Sequence, residues 1–311
     1  DHGHVLGLRD INIDVPDKCI RVIMGLSGSG KSTLIRHINR LIEPTSGEIL
    51  VGGEDVLAMS DEELKNFRRS KASMVFQKFA LLPHRTVIEN VGYGLQIQKI
   101  SETEINKRSQ HWIDRVGLTG FEGHYPAQLS GGMQQRVGLA RALATDAEIL
   151  LMDEAFSALD PLIRTDMQGI LLGLQEELHK TIVFITHDLD EALRIGDEIS
   201  ILRDGEVVQQ GTSQEIVMTP SDDYIADFIK DVNRARVLEV RSIMEPSKTD
   251  KGPRLDLTTP LEDAMGKLSE AGETSACVVD DKGHVIGKIE LSAAISAIKR
   301  PEKTSNELRY R

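Results

Sequence analysis

One stretch constrains this chain more than any other: Gly25-Leu26-Ser27-Gly28-Ser29-Gly30-Lys31-Ser32. The apolar run Ile20-Arg21-Val22-Ile23-Met24 precedes it, and Thr33-Leu34-Ile35-Arg36-His37-Ile38 comes after it. The order therefore reads strand, glycine-rich turn, helix, the start of an α/β fold. The stretch satisfies G-x-x-x-x-G-K-[ST] at every specified position. Glycines let backbone N–H groups wrap a polyphosphate, and the helix N-terminus adds a favourable dipole. Lys31 supplies a charge for the β- and γ-phosphates, and Ser32 a hydroxyl ligand for Mg2+. Gly25, Ser27, Gly28, Ser29, Gly30 and Thr33 complete the expected nucleotide-binding loop.

The remaining composition narrows the class. The 311 residues are enough for two domains with a substantial core. A net charge of −12 argues against nucleic acid as a partner, because such proteins need a basic face. Cys19 and Cys277 are too few for a zinc site or a disulfide framework, so both are expected to be small buried apolar residues. No apolar run approaches the roughly 18 residues of a membrane span. No secretory signal is visible. The chain starts at Asp1 without a methionine, so a natural N-terminal segment can be missing. A reducing, cytoplasmic compartment is expected.

Taken in order, residues 5–24 alternate apolar and polar around a turn at Pro16-Asp17-Lys18, which predicts a strand pair. Glu48 to Val51 with Gly52-Gly53 reads as a strand and turn. Ser60 with Glu63 is a capping box at a helix start. Ala72 to Phe76 reads as a buried strand ending at Gln77, and the loop Lys78 to Pro83 after it is unusually apolar, as a docking loop would be. Residues 86–145 are helical in pattern. Within them, Leu129-Ser130-Gly131-Gly132-Met133 opens a helix and is a second phosphate-ready N-terminus. Glu148 to Met152 is a continuous apolar run ending in Asp153 and Glu154, as expected of a strand buried on both faces of a parallel sheet. Ser157-Ala158-Leu159-Asp160 comes next, then an amphipathic helix to about Lys180, then the strand Thr181 to Thr186 ending at His187. Ligand sites lie beyond the carboxyl ends of such strands. There Asp153 can hold Mg2+, Glu154 can position and deprotonate water, His187 can sense the γ-phosphate, and Gln77 can touch metal or water.

On these elements, residues 1–230 resemble the ATP-binding subunit of an ABC transporter. The phosphate loop, Gln77, Leu129-Ser130-Gly131-Gly132, Asp153-Glu154, Ser157 to Asp160 and His187 stand in that family's order and spacing. The resemblance implies a P-loop NTPase fold with a mixed sheet and a helical subdomain at about 80–147. It implies ATP and Mg2+ as cofactors, with Ser32, Gln77 and Asp153 at the metal. Glu154 resembles the general base and His187 the switch histidine, with Lys31 also catalytic. It implies a head-to-tail dimer with a second copy, in which each ATP lies between one phosphate loop and the partner's signature residues 129–133. Residues 157–160 resemble the family's D-loop. The apolar loop after Gln77 resembles the segment that docks on membrane permease subunits, with a solute-binding protein completing the complex at the cell membrane's cytoplasmic face. Met133 departs from the usual Gln, and the region expected to stack on adenine is Asp1-His2-Gly3-His4. The segments Arg40 to Pro44, Phe79 to His84 and Met152 to Asp160 are similar to the glycine betaine/proline uptake branch, which imports compatible solutes and related amines. An amino-acid importer subunit is the alternative. A soluble ABC ATPase of DNA maintenance or translation would carry a long insertion or a second phosphate loop, and this chain has neither.

Beyond a boundary expected at 232/233, basic and acidic residues balance, so the excess acidity belongs to the first part. Residues 233–311 resemble a cystathionine-β-synthase-type (CBS) module, with a short strand, a helix from Leu261 to Ala271, a hairpin turning at Asp280 to Gly283 and a helix from about Leu291. Glu290 and Ala293 depart from the residues of adenylate-binding members. Sensing of ionic strength, partner docking and dimer packing remain open. The basic tail residues Lys299, Arg300, Lys303, Arg309 and Arg311 read as a solvated tail or a contact with anionic lipid.

Overall fold

Ile20–Met24 is buried at every position and forms β1. The computed structural model describes residues 6–299. The N-terminal residues His2 and His4 and the basic tail from Arg300 lie outside them. After β1 come α1 (Lys31–Ile38), the hairpin of β2 (Leu50–Val51) and β3 (Glu54–Asp55), α2 (Asp61–Ser70) and β4 (Ala72–Phe76). A helical stretch is next: α3 (Val87–Val91), α4 (Tyr93–Ile97), α5 (Glu102–Arg115) and α6 (Gly131–Ala144). Then β5 (Ile149–Asp153), α7 (Pro161–Leu178), β6 (Thr181–Thr186), α8 (Leu189–Ile195), β7 (Glu198–Arg203) and β8 (Glu206–Gly211) complete the first unit. Its six-stranded sheet is ordered β4-β5-β6-β1-β7-β8. The pairs β4–β5, β5–β6, β6–β1 and β1–β7 are parallel, and the tight turn Asp204-Gly205 brings β8 back along β7, giving the expected mixed sheet.

The register of the parallel strands sets which residues can meet. Phe76 pairs with Asp153, Asp153 with Ile185, and Met24 with Thr186. The residues just past these strand ends, Gln77, Glu154, His187 and Gly25, therefore share the sheet's carboxyl edge. Behind that edge Phe156 and Phe184 are fully buried, with ring centroids 5.4 Å apart. Phe156→Ala is expected to cost about 3–5 kcal/mol by leaving a cavity under Glu154, read as a fall in the thermal midpoint. A second core, of Val87, Leu95, Ile113, Leu118 and Val137, holds the helical stretch together. Cys19 and Cys277 are buried free thiols, as expected. Among the described residues no helix is long and apolar enough to cross a membrane.

The structure departs from expectation in two places. Residues 6–17 form no strand. Their alternation still sends Leu8, Ile11, Ile13 and Val15 onto the core. Period-two burial thus occurs here without a hydrogen-bonded ladder. Second, the chain divides into its two units at Gln210/Gly211 rather than at 232/233. The difference is the segment with α9 (Ser213–Met218) and α10 (Asp223–Phe228). Gln214 of α9 donates to Val237 O and accepts from Glu239 N–H, so α9 belongs with the second unit.

The second unit continues with α11 (Arg234–Val237), β9 (Glu245–Pro246), β10 (Arg254–Asp256), α12 (Leu261–Ala271), β11 (Ser275–Val279), β12 (Val285–Glu290) and α13 (Leu291–Ile298). Its sheet is ordered β10-β11-β12-β9. The hairpin β11–β12 turns at Asp280 to Gly283, where the Asp280 carboxylate accepts from the N–H groups of Lys282 and His284. The expected helix and hairpin are both present.

Candidate functional site

The phosphate loop is shaped by backbone that side chains rarely allow. Gly25, Gly28 and Gly30 have φ of 151°, 84° and 97°. A Cβ on Gly25 would lie 2.2 Å from the Leu202 carbonyl oxygen, so the loop leaves β1 pressed against β7. Lys31 opens α1 and is buried. Its ammonium donates to Gly25 O at 2.8 Å and Leu26 O at 2.9 Å, and lies 3.5 Å from Ser29 Oγ. Burial pulls its pKa below the usual lysine value, against the opposing charges of Glu154 and Asp153.

Beside it, Ser32 Oγ donates to Asp153 Oδ1 at 2.8 Å. Asp153 is the last residue of β5 and is buried. Its other oxygen accepts from Arg36 Nη2 at 3.1 Å. Arg36 was not among the expected site residues. Its signal was present in the sequence, because it lies four positions after Ser32 and so on the same helix face. Ser32 and Asp153 are hard oxygen donors side by side, which suits Mg2+, an ion that keeps water and phosphate oxygens in most of its shell.

Glu154 comes next, with φ 47°, a left-handed conformation that costs a non-glycine residue about 1–2 kcal/mol. Its carboxylate Oε2 accepts from Gln77 Nε2 at 3.1 Å and lies 3.5 Å from His187 Nδ1. Ser157 Oγ donates to Glu154 O at 2.9 Å and accepts from Gln77 Nε2 at 3.2 Å. Ends of three neighbouring strands thus converge on one carboxylate. Of the three expected metal-site residues, Ser32 and Asp153 meet, while Gln77 is engaged with Glu154 and Ser157.

The remaining expected residues lie on two other helix starts. Asp160 caps α7 by accepting from Ile163 N–H, and Leu159 before it is buried. Ala158 is exposed. Ser130 caps α6 by accepting from Met133 N–H at 3.3 Å, and Leu129 is buried in the helical core. Ser130 and Gly131 are exposed. A Cβ on Gly132 would lie 2.6 Å from Ile163 Cγ2, so the signature helix packs tightly on the start of α7. Arg164 is a further residue that sequence reasoning missed. It donates to Leu159 O at 3.3 Å and to Asp188 at 2.8 Å, joining residues 157–160 to the turn after His187.

These features match known proteins closely. The family described as "ABC transporter" matches residues 8–157. The chain is 52% identical to the glycine betaine transport ATP-binding protein OpuAA of Bacillus subtilis, over 95% of this chain and 69% of that protein. The chain belongs to the ABC transporter ATP-binding subunits. This ABC subunit is also 43% identical to the trimethylamine N-oxide transport system ATP-binding protein TmoW of Pelagibacter ubique, over 97% of this chain and 89% of that one. Among solved structures, it resembles the dimeric ABC transporter cassette MJ0796 with TM-score 0.63 and 38% identity, over 67% of this chain and 91% of that one. A second structure of that cassette is a post-hydrolysis state bound to ADP and Pi. The ABC subunit is therefore an ATPase, and ATP is its nucleotide.

Proposed function

We propose that this chain is the ATPase of an importer for glycine betaine-type compatible solutes or related amines, working at the cytoplasmic face of the cell membrane. The observation that carries the catalytic reading is the convergence of Gln77 and His187 on the Glu154 carboxylate, beside the Asp153–Ser32 pair. Lys31 holds the phosphates. Glu154 orients the attacking water and takes its proton. His187 supports the charge that develops on the γ-phosphate, and Gln77 holds Glu154 and the water in register. Ser32 and Asp153 would hold Mg2+, which when bound would supply neutralisation of phosphate charge.

Ser130 and Gly131 are exposed at the N-terminus of α6, a helix packed along its length on α3, α5 and β4, whereas the phosphate-loop helix packs on β5 and β6. Two separate phosphate-ready termini in one chain support a head-to-tail dimer in which each ATP is shared. Permease subunits and a solute-binding protein complete the complex, and the half-buried Phe79, Leu81 and Leu82 face the permease. The solute class rests on relatives named for glycine betaine, carnitine and trimethylamine N-oxide transport. The deciding experiment is ATPase activity of the complete complex with a panel of solutes. Betaines, carnitine or trimethylamine N-oxide are expected to stimulate it; stimulation by amino acids alone would overturn the solute class.

The β10-α12-β11-β12-α13 succession of the second unit supports its reading as a CBS-type module, and a response to ionic strength is the role proposed for it. Removal of the second unit from Thr212 onward, at the boundary the structure gives, is expected to leave intrinsic hydrolysis intact and to change the salt response of the assembled transporter. An unaltered response rejects that role.

A further inference from the structure

The loop after Gln77 contains the one pair of consecutive non-glycine residues with left-handed backbone among the described residues: Phe79 at φ 53° and Ala80 at φ 49°. Left-handed backbone strains a residue that carries a side chain, and such strain persists only where surrounding structure enforces it. Here the enforcing group is Arg141, in the last turn of α6. Its Nη1 donates to Ala80 O at 2.7 Å and its Nη2 to Phe79 O at 3.1 Å. The left-handed pair turns both carbonyls toward one side, where the planar fork of a guanidinium takes both. Burial pulls the Arg141 pKa below the usual value, and no carboxylate pairs with it among the described residues. A charged fork is thus half-buried on two neutral carbonyls alone.

The loop lies along α6 for most of that helix. Phe79 Cζ sits 3.8 Å from where a Cβ on Gly131 would be, and Phe79 O sits 3.6 Å from the corresponding point on Gly138. Beyond the strained pair, the fully buried Asn90 of α3 accepts from Leu82 N–H at 2.8 Å and donates to Leu82 O at 3.1 Å. The loop is therefore fixed at its far end by Asn90 and at its middle by Arg141, while its near end is Gln77, bound to Glu154.

We propose that Arg141 is a positioning residue for hydrolysis: it clamps the strained Phe79–Ala80 turn onto α6, so that Gln77 and the Ser130 end of the same helix move as one piece. This rests on the reading that Gln77 serves the catalytic carboxylate and Ser130 the partner's ATP. Without the clamp the turn relaxes out of the left-handed region. The chain direction leaving Gln77 changes with it, and the amide loses its aim at Glu154. Misplacement of a catalytic group by about 1 Å can cost on the order of 100-fold in rate.

The test is a double-mutant cycle on the full chain, reading kcat, ATP affinity and thermal midpoint. Arg141→Ala is expected to lower kcat about 10- to 100-fold with ATP affinity changed less than about twofold, because the phosphate loop is untouched. Gln77→Ala lowers kcat comparably, and the double variant falls no further than the worse single one, since both remove one function. Adding Ala80→Gly to Arg141→Ala restores part of the rate, because glycine adopts the turn without strain. Arg141→Lys, a point charge without the fork, falls between wild type and Arg141→Ala. If Arg141→Ala does not fold, the cycle is run with Arg141→Lys. A wild-type rate in the Arg141 variant, or losses that multiply in full with Gln77→Ala, overturns the clamp alone. A wild-type rate for Gln77→Ala overturns both the clamp and the role given to Gln77.

Discussion

Glu154→Gln is expected to lower ATP turnover at least 100-fold while ATP binding survives. General-base catalysis by a positioned side chain contributes about 10²- to 10⁴-fold, and Glu154 is the carboxylate on which the other strand ends converge. The substitution keeps the size and the hydrogen-bonding oxygen that Gln77 Nε2 needs, so the local packing is retained. Its backbone sits at φ 47°, a cost that Glu and Gln bear alike. The variant loses the group that can accept a proton from water. Phosphate release measured beside equilibrium ATP binding separates the two, and the bound state should accumulate as an ATP-containing dimer. Unchanged turnover would remove Glu154 as the base.

The second large effect divides the two phosphate-ready helix starts. Lys31→Ala is expected to weaken ATP binding by a single chain about 10- to 100-fold or more, because a charge-assisted hydrogen bond is worth about 1.5–3 kcal/mol. It also leaves the carbonyls of Gly25 and Leu26 without their donor. Ser130→Ala instead removes the cap of α6, worth about 1 kcal/mol, and touches nothing in the phosphate loop. Hydrolysis should fall at least tenfold with single-chain ATP binding changed less than about threefold. Equal loss of binding in the two variants would show that Ser130 serves the ATP of its own chain.

Much of this architecture is legible in the sequence because local signals agree with the tertiary outcome. Ala72–Phe76 and Thr181–Thr186 are strands where continuous apolar runs place them. Leu261–Ala271 is a helix over its expected span, stopped by Gly272 in the left-handed conformation. Ser60 and Glu63 form their capping box. The failures share a cause, which is that the deciding partner is distant in sequence. Residues 6–17 carry strand-like alternation, yet a ladder needs a neighbour whose position alternation does not encode. The unit boundary lies earlier than composition places it because α9 is held by Val237 and Glu239, bonds invisible to a charge count. Arg141 reads as one more basic residue near a helix C-terminus. Only the fold places two strained carbonyls 61 and 62 residues away within its reach.

The shared register of β4, β5, β6 and β1 has a practical meaning for anyone wishing to engineer this chain. The groups at the carboxyl edge are addressed by counting residues along strands, so a single insertion within β5 moves Asp153 and Glu154 by one step and reverses the faces of that strand. The opposite edge carries no such address. Asp146 and His179 are exposed, stand at the turns entering β5 and β6, and already adopt left-handed backbone at φ 56° and 49°. Reporter groups or short tags spliced there lengthen a turn without shifting any strand's count. At the carboxyl edge strand length sets which groups meet, whereas the turns at Asp146 and His179 are tied by side contacts such as the Lys180–Asp146 pair.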